Sequence, residues 1–266
     1  MPYFTHCKNF SIHYERNGDP SKPRLALIAG LGRDKHVWDK ILPALLPNYS
    51  ILCMDNRDAG KSDAALTDYS IQTMADDLQY LLEGLNFFPC TLVGHSMGGF
   101  IAMTLAYQAS KLVNKLIICN AGSHQSEFGK GYLNSRIQWI EDSKLSYKAR
   151  MTRIIPWLYG KAYLARGNNY QNLLQSPGNL PAKENFIRQA HACLDYDIRD
   201  HLSAIGCEVE VVTGDEDKRI TPTVAKQLAR QLPQAKSTIL AGIGHVIPIE
   251  APEALIDIIN QNVKIR

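Results

Sequence analysis

None of the six cysteines in this 266-residue chain stands in a Cys-x-x-Cys pair. Cys7, Cys53, Cys90, Cys119, Cys193 and Cys207 are scattered, and Cys53, Cys90 and Cys119 sit within or beside apolar runs. Scattered spacing argues against a zinc site and against a disulfide framework, so the thiols read as small, reduced core residues and no metal is expected. Long apolar runs are missing as well; none approaches the roughly 20 residues of a membrane-spanning helix. The start, Met1-Pro2-Tyr3-Phe4-Thr5-His6-Cys7-Lys8, has no apolar core of the kind a signal peptide carries, so a cytoplasmic location is the expectation. No basic cluster interleaved with aromatics occurs, and a net charge of +3 is too small to point to nucleic acid or a membrane surface. Repeats and low-complexity segments are absent. The chain is long enough to bury a large core, and its 45% hydrophobic content is that of a folded globular protein.

Short apolar runs recur with helical stretches between them: Leu25–Ile28, Ile51–Met54, Thr91–Val93, Leu116–Cys119, Val209–Val212 and Ser237–Leu240. Most are near-continuous in apolar character, as strands covered on both faces are, so a largely parallel sheet is expected. Between them, Ser70 to Leu85 carries Ile71, Met74, Leu78, Leu81 and Leu82 at helical spacing, with Asp76, Asp77 and Gln79 expected to face outward. Thr223–Leu232 and Glu253–Val263 show similar patterns. Tyr3 to Arg16 alternates loosely and suggests an antiparallel hairpin at a sheet edge. From Ser123 to Ile205 no strand-like run appears. That aromatic-rich stretch, with Trp139, Trp157, Tyr132, Tyr147, Tyr159, Tyr163 and Tyr170, reads as a helical subdomain inserted between two α/β units. Most of these aromatics should pack its helices, and a few should face a cavity over the sheet.

Gly94-His95-Ser96-Met97-Gly98-Gly99 lies where the strand-like run Cys90–Val93 meets a helical stretch opening at Phe100. If the chain turns from strand to helix on one residue, that residue is strained and its side chain projects from the turn. The positions two before and two after crowd each other, which glycine permits at 94 and 98, and Gly99 lets the helix approach the sheet. The Ser96 hydroxyl is then presented beside the free N–H groups of a helix start, the address of a nucleophile.

A serine needs a base. His95 adjoins Ser96 and should point elsewhere; His6 and His13 belong to the hairpin, and His191 and His201 to the insertion. His245 follows the last predicted strand, in Ala241-Gly242-Ile243-Gly244-His245, at the end of the sheet where active sites collect. The imidazole needs an acid to hold its tautomer, and the loop after the preceding strand offers three, Asp215, Glu216 and Asp217, among which spacing alone does not choose.

These motifs resemble the α/β-hydrolase superfamily over essentially the whole length. The resemblance implies a mostly parallel central sheet flanked by helices, with residues 1–122 and 206–266 as the core and 123–205 as a helical lid. It maps the acid onto Asp217, three residues after the loop glycine Gly214, with Asp215 in reserve; Pro222 stands one residue later than the family's usual proline. It also places an oxyanion hole at the backbone N–H groups of Met97 and Leu31, although Ala29-Gly30 stands where members often carry His-Gly. Asp55-Asn56-Arg57-Asp58-Ala59-Gly60-Lys61-Ser62 ends like a phosphate loop but lacks its glycines; it resembles the family's structural Asp-x-Arg-x-x-Gly-x-Ser turn.

The implied function is hydrolysis of a small carboxylic ester, lactone or thioester through an acyl-enzyme on Ser96, with His245 as base, Asp217 as its orienting acid and no cofactor. A serine at this position disfavours the dehalogenase and epoxide-hydrolase branches, which use aspartate. Cofactor-free haloperoxidases and carbon–carbon bond hydrolases share the triad, and a non-catalytic small-molecule receptor on the same fold is an alternative of a different class. The substrate and the oligomeric state are not written in these motifs.

Overall fold

A computed structural model describes residues 3–7, 10–175 and 180–263. Both ends of the expected core (residues 1–2 and 264–266), residues 8–9, the side chains of His6 and Cys7, and residues 176–179 of the expected insertion lie outside the described residues.

The recurrent apolar runs each fall in a strand. The strands are β1 (Tyr3–Cys7), β2 (Phe10–Asn17), β3 (Arg24–Ile28), β4 (Ser50–Met54), β5 (Cys90–His95), β6 (Val113–Cys119), β7 (Glu208–Gly214) and β8 (Ala235–Leu240). They form one sheet in the order β1-β2-β4-β3-β5-β6-β7-β8. The β1–β2 and β2–β4 pairs are antiparallel and the rest parallel, which is the expected edge hairpin on a parallel sheet. Continuous apolar character has its cause in two covered faces, because every residue of β4 and β5 is buried. In β3, Leu25 and Leu27 enter one core cluster while Ala26 and Ile28 enter the other, as the two-residue period of a strand requires. β8 is the exception: as the edge strand it is only partly buried along its length.

Helices cover both faces. A single turn, α1 (Leu42–Leu45), follows β3, and α2 (Ile71–Gly84) follows β4. Ser70 caps α2 by accepting the Thr73 N–H, in a capping box, and Ile71, Met74, Leu78, Leu81 and Leu82 form its buried face. Asp77 departs from the outward expectation. It is buried because Arg57 from the turn after β4 reaches it with two hydrogen bonds of 2.6 and 2.7 Å, which lets a carboxylate sit among apolar neighbours. The next helix, α3 (Met97–Gln108), is apolar nearly all round and buried on almost every side, the composition of a helix enclosed in a core.

Among the described residues, five α-helices stand between β6 and β7: α4 (Glu127–Glu141), α5 (Tyr147–Leu158), α6 (Lys161–Ala165), α7 (Asn169–Gln175) and α8 (Lys183–Leu194). Two adjacent residues of α8 tie this insertion to the sheet. Arg188 grips Asp58 with bonds of 2.8 and 2.9 Å. Gln189, fully buried, accepts the Gly32 N–H at 2.9 Å and donates to the Arg57 carbonyl at 2.8 Å. The chain finishes with α9 (Pro222–Gln231), the turn α10 (Ile247–Glu250) and α11 (Pro252–Asn262). No described helix is long and apolar enough to cross a membrane.

Candidate active site

β5 ends at His95 and α3 starts at Met97, so one residue makes the whole turn. Ser96 has φ 54° and ψ −118°, a left-handed conformation that L side chains rarely adopt. The flanking glycines follow from close approach. A Cβ at Gly94 would lie 2.4 Å from the Gly98 carbonyl oxygen, the crowding expected across the turn. A Cβ at Gly98 would lie 2.1 Å from the Ile28 carbonyl oxygen, so Gly98 is demanded by the end of β3 as well. One at Gly99 would meet Ala121 at 2.6 Å, where α3 lies against the chain leaving β6.

Loops from three parallel strands converge here. The His245 Nε2 stands 3.0 Å from Ser96 Oγ, and its Nδ1 stands 2.7 Å from Asp217 Oδ2. The other oxygen of Asp217 accepts the backbone N–H groups of Arg219 and Ile220 at 2.8 and 3.1 Å, and Asn120 donates to Oδ2 at 2.8 Å. Asp215 is exposed and turned away, accepting the Gly242 N–H at 2.7 Å. Glu216 accepts the Lys161 N–H at 2.6 Å. Of the three acids in that loop, Asp217 alone meets His245.

The electrostatics follow from burial and these partners. Burial pushes the Asp217 carboxyl up, but His245 and the two backbone N–H donors outweigh it and hold the group below its ordinary value. A carboxylate on Nδ1 fixes the tautomer that leaves the Nε2 lone pair facing Ser96. Burial pulls His245 below its ordinary value; Asp217 opposes this, and the positive charges of Arg219 and Arg136 reinforce it. That lone pair has a second suitor, because Arg219 Nη1 lies 3.2 Å from it.

Two residues outside the expected set hold the His245 loop. The His95 ring turns away from Ser96 Oγ, as expected, but its Nε2 donates to the His245 carbonyl at 2.7 Å. Burial first, then the neighbouring His245, drive its pKa down to about 3, so the ring stays a neutral donor. Glu250, buried in α10, accepts the N–H groups of Gly244 and Val246 on either side of His245 at 3.0 and 2.9 Å, and that of Gly160 at 2.7 Å. Burial raises its pKa despite these donors. No short-range pattern marks either residue for this task.

The backbone N–H groups of Leu31 and Met97 find no protein acceptor among the described residues. A Cβ on the adjoining Gly30 would already stand within 3.2 Å of His95 and Ser96, so the loop after β3 presses against the turn. A cavity of about 190 Å³ opens over Ser96 and His245, walled by Leu31 below and by Ile140, Met151 and Phe186 of the insertion above. Of the seven insertion aromatics singled out in the sequence, only Tyr147 lines it; Trp157 packs against Tyr132 and Phe128 instead. The Asp55 turn is a structural brace, its carboxylate taken by His13 Nδ1 at 2.8 Å and by the N–H groups of Lys35 and Lys61.

A nearly all-parallel sheet, a strand-to-helix turn on one strained serine and crossover helices on both faces define an α/β-hydrolase fold. A family model described as the alpha/beta hydrolase fold matches residues 23–145. The chain is 26% identical to a Caulobacter sp. (strain K31) protein named a carbamate hydrolase, RutD, over 91% of this chain and 92% of that one. It is 25% identical to 3-oxoadipate enol-lactonase 1 of Acinetobacter baylyi over 98% and 96% of the two chains. Among solved structures, the enol-lactonase from Burkholderia xenovorans LB400 superposes with a TM-score of 0.88 at 21% identity, covering 97% and 98% of the chains. The chain has the α/β-hydrolase fold and is similar in sequence to hydrolases across nearly its whole length.

Proposed function

We propose that this protein is a serine hydrolase of small carboxylic esters, lactones or thioesters, working through an acyl-enzyme on Ser96. The observation that carries this reading is the continuous hydrogen-bonded path from Ser96 Oγ through His245 to Asp217 beneath a cavity. In this reading His245 Nε2 takes the Ser96 proton as Oγ attacks the carbonyl carbon. The tetrahedral oxyanion takes hydrogen bonds from the N–H groups of Leu31 and Met97. On collapse the alcohol or thiol leaves with the proton that His245 carried. A water then gives a proton to His245, attacks the acyl carbon, and the acid departs as Ser96 regains its hydrogen. Asp217 keeps its negative charge throughout and stabilises the imidazolium.

Residues 123–205 serve as the lid in this proposal, and the reaction takes place in the cytosol. The names of the relatives, carbamate hydrolase and enol-lactonase, extend the acyl groups to be tried to carbamates and enol-lactones. The test compares wild type with Ser96→Ala on p-nitrophenyl acetate and butyrate, together with a fluorophosphonate label mapped by peptide mass. The expected result is a label on Ser96 and loss of turnover in the variant. Equal rates in the two proteins would overturn the proposal.

A further inference from the structure

Among the described residues, the cavity over Ser96 is lined by five cationic side chains, Arg33, Arg136, Arg150, Lys183 and Arg219, and by no aspartate or glutamate. They come from the loop after β3, from α4, α5 and α8, and from the loop after β7, so the convergence belongs to the fold and not to a local charge run. None of the five pairs with a carboxylate among the described residues. Arg33 donates to the Tyr159 hydroxyl at 3.2 Å, and Arg150 to the Leu145 carbonyl at 3.1 Å. Arg136 has only ring faces, its guanidinium 4.6 Å from the Phe186 centroid and 5.8 Å from that of Tyr132, and its buried Nε has no acceptor. The Arg219 guanidinium lies 4.9 Å from the Tyr132 centroid, its buried Nε likewise unpartnered, and it spends one N–H on His245.

A guanidinium withdrawn from water without an anion is unfavourable, and like charges gathered around one small space add to that cost. Here burial, then Arg219 and Arg33, push the Arg136 guanidinium below its ordinary value, so the protein itself does not neutralise it. Such an arrangement becomes favourable when a ligand brings the missing charge, and the planar fork of arginine matches a carboxylate.

Building on the serine-hydrolase reading, we infer that the substrate carries a second, ionised carboxylate away from the scissile bond, held between Arg136 and Arg219. The same carboxylate gives Arg219 an acceptor other than His245 Nε2. The lone pair is then left to the Ser96 hydroxyl, so a charged substrate both fills the cavity and frees the base. Arg136 and Arg219 are the specificity-determining residues of this scheme.

The test compares monomethyl glutarate with its uncharged near-isostere methyl hexanoate, following methanol release. Wild type is expected to favour monomethyl glutarate by about tenfold or more in kcat/KM, and Arg136→Met to lower that ratio by about tenfold, with Arg136→Lys restoring part of it. Turnover of methyl hexanoate with no preference for the charged ester overturns the inference and leaves the hydrolase reading standing. Should Arg136→Met fail to fold, the wild-type ratio decides. Should neither ester be consumed, calorimetric titration of Ser96→Ala with glutarate decides the anion site apart from the chemistry. Saturable binding that Arg136→Lys weakens supports it, and no binding overturns it.

Discussion

The ring of His95 donates a 2.7 Å hydrogen bond to the backbone carbonyl of His245, joining the residue before Ser96 to the residue whose ring faces Ser96 Oγ. Sequence neighbours on a sharp turn diverge, and this divergence carries His95 across the 150 positions that separate the two histidines. His95→Phe keeps a ring in the space and removes the donor. The expected result is a fall of about tenfold in kcat/KM, the worth of one buried hydrogen bond, with little change in KM on p-nitrophenyl butyrate.

Asp217 and Asp215 stand two residues apart with opposite surroundings, one buried against His245 and one exposed on the Gly242 N–H. Asp217→Asn is expected to lower kcat by about 10³–10⁴-fold, because an amide no longer enforces the tautomer that leaves Nε2 bare. Asp215→Asn is expected to stay within about fivefold of wild type, since a surface polar contact is worth little. Steady-state kinetics on one ester decides between them.

In the proposed reaction His245 acts as a base only when neutral. Burial and the positive charge of Arg219 hold its pKa below the ordinary 6.5, so the neutral form persists as pH falls through that value. The acid limb of the kcat/KM profile is therefore expected below pH 6.5. Arg219→Met removes a neighbouring positive charge and should move that limb to higher pH, read on an uncharged ester.

Gly98 lies so close to β3 that any side chain displaces backbone, with the Ile28 oxygen 2.1 Å from where a Cβ would stand. Gly98→Ala is expected to cost more than about 2 kcal/mol of stability in urea unfolding. A neutral effect would mean that α3 can retreat from the sheet without loss.

The sheet was legible because its strands are short, apolar and separated by helical patterns, and Ser96 was legible because its constraint is local, three glycines within six residues. His245 was reachable through its place after the last strand. The choice of Asp217 needed a family resemblance, since Asp215, Glu216 and Asp217 differ only in how a tight turn aims them. Asp77 was misread because its partner Arg57 lies outside its helix. Glu250 and Arg136 were invisible for the same reason, their roles being set by residues brought together only by the fold.

The insertion leaves and re-enters the sheet at almost one point. Cys119 and Val212 are paired in neighbouring strands, the Asn120 N–H donates to the Val212 carbonyl at 2.8 Å, and Ser123, His124 and Gln125 pair with Ile198, Asp197 and Tyr196. A segment whose ends are already zipped adds little closure entropy however long it grows. The helices that roof the cavity can thus be lengthened, trimmed or exchanged for another set while the strands beneath keep their register.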